Sequence, residues 1–237
     1  MRPLVIAHRG ASGSAPENTL AAFRRAAAIG ADMVELDVQL TRDGVVVVIH
    51  DLTLERTTDG TGAVREHTLA ELRRLDAGAW FAPGFRGERL PALAEVLAAI
   101  PLPVNVELKP AGDDGLEART LAVVEEAGAL GRVVFSSFDG ASLDRLRAQS
   151  PEAALAVLWE LAPLPAAIRC VERVAARALH LRKDAATADA LARLTARGLA
   201  VRVWTVNEPA DFARLAQAGA DGIFTDYPER FLQLGAP

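Results

Sequence analysis

Short apolar runs and longer amphipathic stretches alternate from one end of this chain to the other. The runs Leu4–Ala7, Met33–Asp37, Val104–Leu108, Val133–Ser136, Leu155–Leu158, Ala178–Leu181, Ala200–Val206 and Gly222–Thr225 have the length and β-branched content of buried strands. Between them, helical patterns span about Thr19–Ile29, Ala92–Ile100, Leu116–Ala127, Ser142–Gln149, Pro165–Ala176, Thr187–Arg197 and Pro209–Ala218, and a last one covers Pro228–Leu234. Gly30, Gly128, Gly198 and Gly219 fall just past helix ends, where a left-handed residue closes the final turn. Asn207, two residues before Pro209, is placed to cap a helix. Strand–helix units in this order require parallel strands joined by crossover helices. Eight of them fit a closed (β/α)8 TIM barrel better than an open doubly wound sheet, whose Gly-x-Gly-x-x-Gly phosphate turn is absent.

The alternation is broken once. After Asp37, the turn Thr41-Arg42-Asp43-Gly44 leads into Val45–Ile49, which predicts a hairpin extending from the second strand. Pairing Leu40 with Val45 sets Asp37 opposite Val48 and Glu35 opposite His50, and opposed residues share a face. The segment from about 51 to 90 is rich in Thr, Gly and charge. It reads as an insertion over the barrel mouth within one domain of residues 1–237.

The strands share a second feature, which is polar. His8-Arg9, Glu35 and Asp37, His50-Asp51, and Glu107 with Lys109 stand at the C-terminal ends of apolar runs, the end where barrels of this kind collect their chemistry. Ser136, Trp204 and Asn207 are expected at the same end. Glu35-x-Asp37 has the period of a strand, so both carboxylates project from one face. Glu107 on the neighbouring strand adds a third oxygen donor. Clustered carboxylates raise one another's pKa unless a cation intervenes, and oxygen ligands favour Mg²⁺, Ca²⁺ or Mn²⁺ over zinc. The alternative is a set of solvated rim acids and salt-bridge partners. His8 and His50 suit acid–base chemistry, one removing a proton while the other supplies one, or direct metal ligation. Arg9 and Lys109 suit a phosphate, or neutralise the acids when no metal is bound. His67 and His180 are expected to be hydrogen-bonded structural residues.

Composition narrows this picture. A chain of 237 residues that is 51% hydrophobic has enough apolar content for a full core. A formal net charge of −5 argues against a general nucleic-acid binder. Cys170 is the single cysteine, so an intrachain disulfide and a cysteine-based zinc site are excluded. The first residues turn polar too soon for a secretory signal, and no apolar run has the roughly 20 residues a membrane span needs. A cytoplasmic protein without a stable membrane anchor is expected; the sequence gives no reading of its oligomeric state.

At these residues the chain resembles the glycerophosphodiester phosphodiesterase family. His8-Arg9-Gly10 with Pro16-Glu17-Asn18-Thr19 is similar to that family's opening signature. Glu35-Leu36-Asp37-Val38, Thr41-Arg42-Asp43-Gly44, His50-Asp51 and Leu54-x-Arg56-Thr57-Thr58-x-Gly60-x-Gly62 follow in the expected order. Pro91-x-Leu93-x-Glu95, Glu107-Leu108-Lys109, Ser136-Ser137-Phe138, Trp204-Thr205-Val206-Asn207 and Asp221-Gly222-Ile223-x-Thr225-Asp226 extend the likeness over nearly the whole chain. The resemblance implies a barrel enzyme that hydrolyses glycerophosphodiesters to an alcohol and sn-glycerol 3-phosphate with one divalent cation. It implies Glu35, Asp37 and Glu107 as metal ligands, His8 and His50 as the acid–base pair, and Arg9 and Lys109 as phosphate-binding residues. Trp204 would pack against the glycerol or on the barrel rim, and Glu17, Asn18 and Thr19 would organise the first helix. The competing readings are a lysophospholipase D-like enzyme, with Trp80, Phe81 and Phe85 as its apolar flange, and a barrel that binds phosphodiesters without turning them over.

Overall fold

The computed structural model describes residues 2–109, 112, 114–160 and 163–232. Eight parallel strands close on themselves: β1 (Leu4–Ala7), β2 (Met33–Leu40), β4 (Val104–Leu108), β5 (Val133–Ser137), β6 (Ala154–Trp159), β7 (Ala178–Arg182), β8 (Ala200–Trp204) and β9 (Gly222–Thr225). The barrel runs β1-β9-β8-β7-β6-β5-β4-β2, and a β1–β2 pairing completes it. The short strand β3 (Val46–Val48) pairs antiparallel with β2 outside the ring. Helices α1 (Leu20–Ile29), α3 (Leu93–Ala99), α4 (Leu116–Glu126), α5 (Gly140–Gln149), α6 (Leu164–Arg173), α7 (Ala188–Thr195) and α8 (Pro209–Gln217) fill the crossovers, and α9 (Glu229–Leu232) follows β9. The chain is therefore a TIM barrel. No helix among the described residues is long and apolar enough to cross a membrane.

Strand alternation separates the two faces of the wall. On β2, Val34, Leu36 and Val38 are fully buried in the core between strands and helices, with Phe23, Leu93 and Val96. Glu35, Asp37 and Gln39 occupy the opposite face, toward the barrel axis. Lower in the interior, Ile6, Met33 and Phe224 form an apolar plug with Leu4, Val134 and Trp204 packed against it. The barrel is thus filled, and its polar groups can collect only at one end.

Helix termini follow the sequence rules closely. Thr19 caps α1 by accepting from Ala22 N, and Gly30 closes it in the left-handed region at φ +89°. The expected cap of α8 is different: Glu208 occupies the cap position and makes no side-chain cap bond. Asn207 instead faces the β9 end, where its Oδ1 accepts from Asp226 N and Thr225 Oγ1. The last helix spans Glu229–Leu232; Pro228 is a turn residue before it, and positions 233 and 234 of the expected Pro228–Leu234 helix lie outside the described residues.

The hairpin is one residue out of the expected register. Leu40 pairs with Val46, Gln39 with Val47 and Val38 with Val48. Glu35 therefore does not stand opposite His50. Pairing ends at Val48, and a bend after Ile49 redirects the chain. Gln39 Nε2 holds that bend by donating to the carbonyls of Ile49, His50 and Asp51 at 3.0, 3.2 and 2.7 Å. The bend, not the strand pleat, turns His50 toward the barrel mouth.

Between β3 and α3 the chain builds a small layer with its own apolar centre. Val47, Ile49, Leu54, Val64, Leu72, Ala77 and Leu90 are buried together, apart from the barrel core. The layer carries the short helix α2 (Leu69–Leu72), which the sequence reading did not anticipate. A capping box starts it: Thr68 Oγ1 accepts from Glu71 N while Glu71 Oε2 accepts from Thr68 N.

His180 departs from the expectation of a hydrogen-bonded histidine. It is fully buried on the inward face of β7, and neither ring nitrogen has a partner. Burial drives its pKa well below the ordinary value, with Arg202 adding to the effect, so the ring is neutral. It packs edge-on to Phe224, ring centroids 4.9 Å apart.

Candidate metal and phosphate site

All eight parallel strands end on the same side of the barrel, and the side chains expected at those ends meet there. In the β2–β4 register Asp37 lies beside Glu107, and Glu35 lies one inward position below Asp37. One oxygen from each of Glu35, Asp37 and Glu107 lies within 4.8 Å of the other two. All three residues are buried.

Burial and mutual repulsion act hard on this cluster. Glu35 is pushed well above the usual carboxylate range, first by burial and then by the charges of Asp37 and Glu107. Glu107 is pushed up to about 7 by burial and by Asp37. Burial opposes ionisation of Asp37 too, but Lys109 and Arg9 hold its carboxyl down at about 2. Lys109 Nζ lies 3.2 Å from Asp37 Oδ1 and hydrogen-bonds Glu107 Oε1. Arg9 Nε lies 3.5 Å from Asp37 Oδ2.

Even with these cations in place, Glu35 Oε1 has no donor, and Asp37 Oδ1 has only the Lys109 ammonium, 3.2 Å away and out of line for a hydrogen bond. Buried carboxylate oxygens without a donor are costly, and such oxygens are what a hard divalent cation binds. Three carboxylates against two cations leave the cluster with one negative charge when all are ionised, which repels a phosphodiester. A divalent cation reverses that balance. The donor set fits a hard divalent cation.

Each of the two histidines at the mouth is backed by a carboxylate. His50 Nδ1 donates to Asp51 Oδ1 at 2.6 Å, and His8 Nδ1 donates to Asp226 Oδ1 at 2.8 Å. Asp51 and Asp226 are ionised and accept only: the guanidinium of Arg56 holds Asp51 far below the usual range, and the His8 hydrogen bond overcomes burial to hold Asp226 at about 2. Each bond fixes Nδ1 as the protonated nitrogen and leaves Nε2 as the free one. Burial lowers the pKa of His50, and Arg9 and Lys109 add to this against the pull of Asp37, so its imidazole is neutral at neutral pH.

The loop between β1 and α1 threads these groups together. Arg9 and Asn18 both adopt left-handed backbone, at φ +57° and +56°, an uncommon state for residues with a Cβ. In that state Arg9 N donates to Glu35 Oε2 at 2.8 Å, and Asn18 Nδ2 donates to Asp37 Oδ2 at 2.9 Å. Arg9 Nη1 donates to Glu17 Oε1.

His8, Arg9, Glu35, His50, Glu107 and Lys109 line one cleft of about 110 Å³, whose apolar wall is Phe138, Leu158, Trp204 and Phe224. Trp204 packs edge-on to Phe138 at 5.6 Å and donates from Nε1 to the carbonyl of His180. Asp37 lies beneath, between the carboxylates and Lys109. Ser136 is buried and accepts from Asn105 Nδ2, so it supports the floor. Trp80, Phe81 and Phe85 pack on one another edge-to-face and do not line the cleft.

Sequence reasoning gave no catalytic or supporting role to Asp226, Asp51, Gln39 or Arg56; Asn18, expected to organise the first helix, also holds Asp37. His50-Asp51 and Asp226 were visible as motif members, but that each carboxylate would back a histidine was not. His8 and Asp226 are 218 positions apart and meet only through barrel closure.

Comparison with known proteins agrees with this geometry. The profile of the glycerophosphoryl diester phosphodiesterase family matches residues 8–230. A glycerophosphodiester phosphodiesterase of Caldanaerobacter subterraneus is 40% identical over 99% of this chain and 98% of its own length. One from Bacillus subtilis is 34% identical over 97% of this chain and 85% of its own length. Among solved structures, an Oleispira antarctica phosphodiesterase in complex with the product sn-glycerol-3-phosphate superposes with a TM-score of 0.92 at 35% identity, covering 98% of this chain and 96% of that one. The chain belongs to the glycerophosphoryl diester phosphodiesterase family.

Proposed function

We propose that this protein hydrolyses glycerophosphodiesters to an alcohol and sn-glycerol 3-phosphate, with Glu35, Asp37 and Glu107 holding one Mg²⁺ or Ca²⁺, or Mn²⁺. One observation carries this reading: three clustered buried carboxylates, two of them with an oxygen that accepts no hydrogen bond, stand at a cleft lined by two carboxylate-backed imidazoles. The product held by the Oleispira antarctica relative supports the substrate class. When bound, the cation supplies positive charge to the phosphate oxygens.

The chain's own residues do the rest. Arg9 and Lys109 grip the phosphate and stabilise charge as the fifth bond to phosphorus forms. Trp204 and Phe138 take the apolar face of the glycerol. His50, neutral with Nε2 free, accepts the proton of the glycerol hydroxyl next to the phosphoester as that oxygen attacks phosphorus. His8 enters this step as imidazolium, its Nδ1–H on Asp226 and a second proton on Nε2, and gives the Nε2 proton to the alcohol oxygen as its bond to phosphorus breaks. Water then opens the cyclic phosphate with the two roles exchanged. Direct attack by water would use the same residues, and a substrate lacking the adjacent hydroxyl separates the routes: equal turnover rules out the internal attack. Substrate is met in the cytoplasm in this reading.

The test is product release from glycerophosphocholine by metal-stripped protein, before and after divalent cation is restored. Turnover should vanish on stripping and return with Mg²⁺ or Ca²⁺. Turnover that persists in chelator would remove the metal from the mechanism, and none under any ion would favour a binding barrel without catalysis. Preferential cleavage of the acylated substrate would point to the lysophospholipase D-like activity.

A further inference from the structure

The motif around Arg56 has no part in the chemistry above, yet Arg56 joins the segment that carries His50 to the loop that carries Arg9. Its guanidinium grips two carboxylates from opposite edges. Nε and Nη2 donate to Asp51 at 2.6 and 2.9 Å, while Nη1 and Nη2 donate to Glu17 at 2.7 and 2.8 Å. Asp51 Oδ1 is at the same time the acceptor for His50 Nδ1, and Glu17 Oε1 is the acceptor for Arg9 Nη1. An unbroken chain of charge-assisted bonds therefore runs His50–Asp51–Arg56–Glu17–Arg9.

The backbone that presents Arg56 is itself fixed. Leu54 is fully buried in the small layer between β3 and α3, and its carbonyl accepts from both Thr58 N and Thr58 Oγ1. Gly60 N donates back to Thr58 Oγ1. Arg56 thus projects from a closed turn, and its planar fork matches two carboxylates at once, which a lysine cannot do.

We propose that Arg56 is a positioning residue: its two-sided grip on Asp51 and Glu17 fixes the His50 ring in the Nδ1–H form and ties that ring to the Arg9 loop. The inference rests on the hydrolytic reading of the site, and it assigns Arg56 no contact with substrate. Without the grip, Asp51 can rotate away from Nδ1, and His50 samples orientations in which Nε2 no longer faces the cleft. Glu17 then answers to Arg9 alone.

Four measurements on the full chain with Mg²⁺ test it. In Arg56→Ala, kcat on glycerophosphocholine should fall about 10–100-fold while KM moves less than about threefold, as for other residues that orient a catalytic imidazole. Arg56→Lys should recover little of that loss; full recovery would overturn the two-sided grip. Asp51→Asn combined with Arg56→Ala should lose no more than Asp51→Asn alone, because both act through one path, and additive losses would overturn the proposal. The Nδ1–H signal of His50 in ¹⁵N–¹H spectra, identified by its absence in His50→Gln, should be sharp in the parent and broadened or shifted in Arg56→Ala. An unchanged signal with kcat within twofold of the parent would make Arg56 a staple for the surrounding layer and nothing more. The spectrum reads positioning even if the parent turns over no glycerophosphodiester, so the two readings can fail separately.

Discussion

Glu35 shows at the scale of one residue how this site sets stability against function. It is buried, pushed toward protonation by its neighbours, and its Oε1 has no donor. Glu35→Gln removes a like charge, so the metal-free variant should unfold at a higher temperature than the metal-free parent. The same change deletes a charged ligand of the proposed cation, and turnover should drop by more than the ~10–100-fold typical of losing a supporting partner. Thermal unfolding in chelator together with steady-state kinetics checks both halves. A metal-free variant less stable than its parent would mean the carboxylates are not repelling one another. Gly10 is a second single-residue case. It sits at φ +82°, and a Cβ there would meet Ala22 C and Cβ at 2.7 Å, so the β1–α1 loop can approach helix α1 only with glycine. Gly10→Ala should destabilise by ~1–3 kcal/mol in denaturant unfolding.

Elements hold these residues in place through a few polar side chains. Gln39 replaces missing strand pairs with three carbonyl contacts, so Gln39→Leu should cost ~1–2 kcal/mol and lower kcat by loosening the His50 bend. Unchanged kcat in that variant would show that the bend is held elsewhere. Between α4 and α5, Glu117 Oε1 accepts from Ser142 Oγ and from Arg145 Nη2 at 2.5 and 2.7 Å. These bonds outweigh burial and keep its pKa below the usual 4.5. A depressed folded pKa means the folded state binds fewer protons there than the unfolded chain, so the contribution is whole above pH 4.5 and fades as pH falls through the folded value. Glu117→Gln should cost ~2 kcal/mol at neutral pH, with the difference from the parent shrinking in acid. Urea titrations at several pH values measure this, and a gap that widens in acid would contradict it.

Across the whole molecule, the proposed cation would link chemistry to stability. A cation that binds only the folded state adds ~2.7 kcal/mol at a hundred times its dissociation constant, a rise of roughly 5–11 °C for a chain this long. Saturating Mg²⁺ or Ca²⁺ should raise the melting temperature of the parent and leave Glu35→Gln nearly unmoved. At this scale the barrel was legible, because eight β-branched runs and their intervening amphipathic stretches record local preferences that packing only reinforces. The hairpin register was not. Leu40 can meet Val45 or Val46 with equal local merit, and the choice falls to Val47 and Ile49, which must be buried in the layer next to β3.

The residue types at and just past the strand ends were enough to gather Glu35, Asp37, Glu107, His8, Arg9 and Lys109 at one mouth, while His50 reaches it through the bend that Gln39 holds. That much is local: strand direction and side-chain alternation follow from the backbone alone. Only the folded chain decided which carboxylate stands behind each imidazole. Asp51 is a chain neighbour of His50, but Asp226 reaches His8 because β9 pairs with β1 to close the ring, and Arg56 reaches Glu17 across two loops. Such contacts depend on how distant segments are brought together, and no short stretch of sequence carries that information.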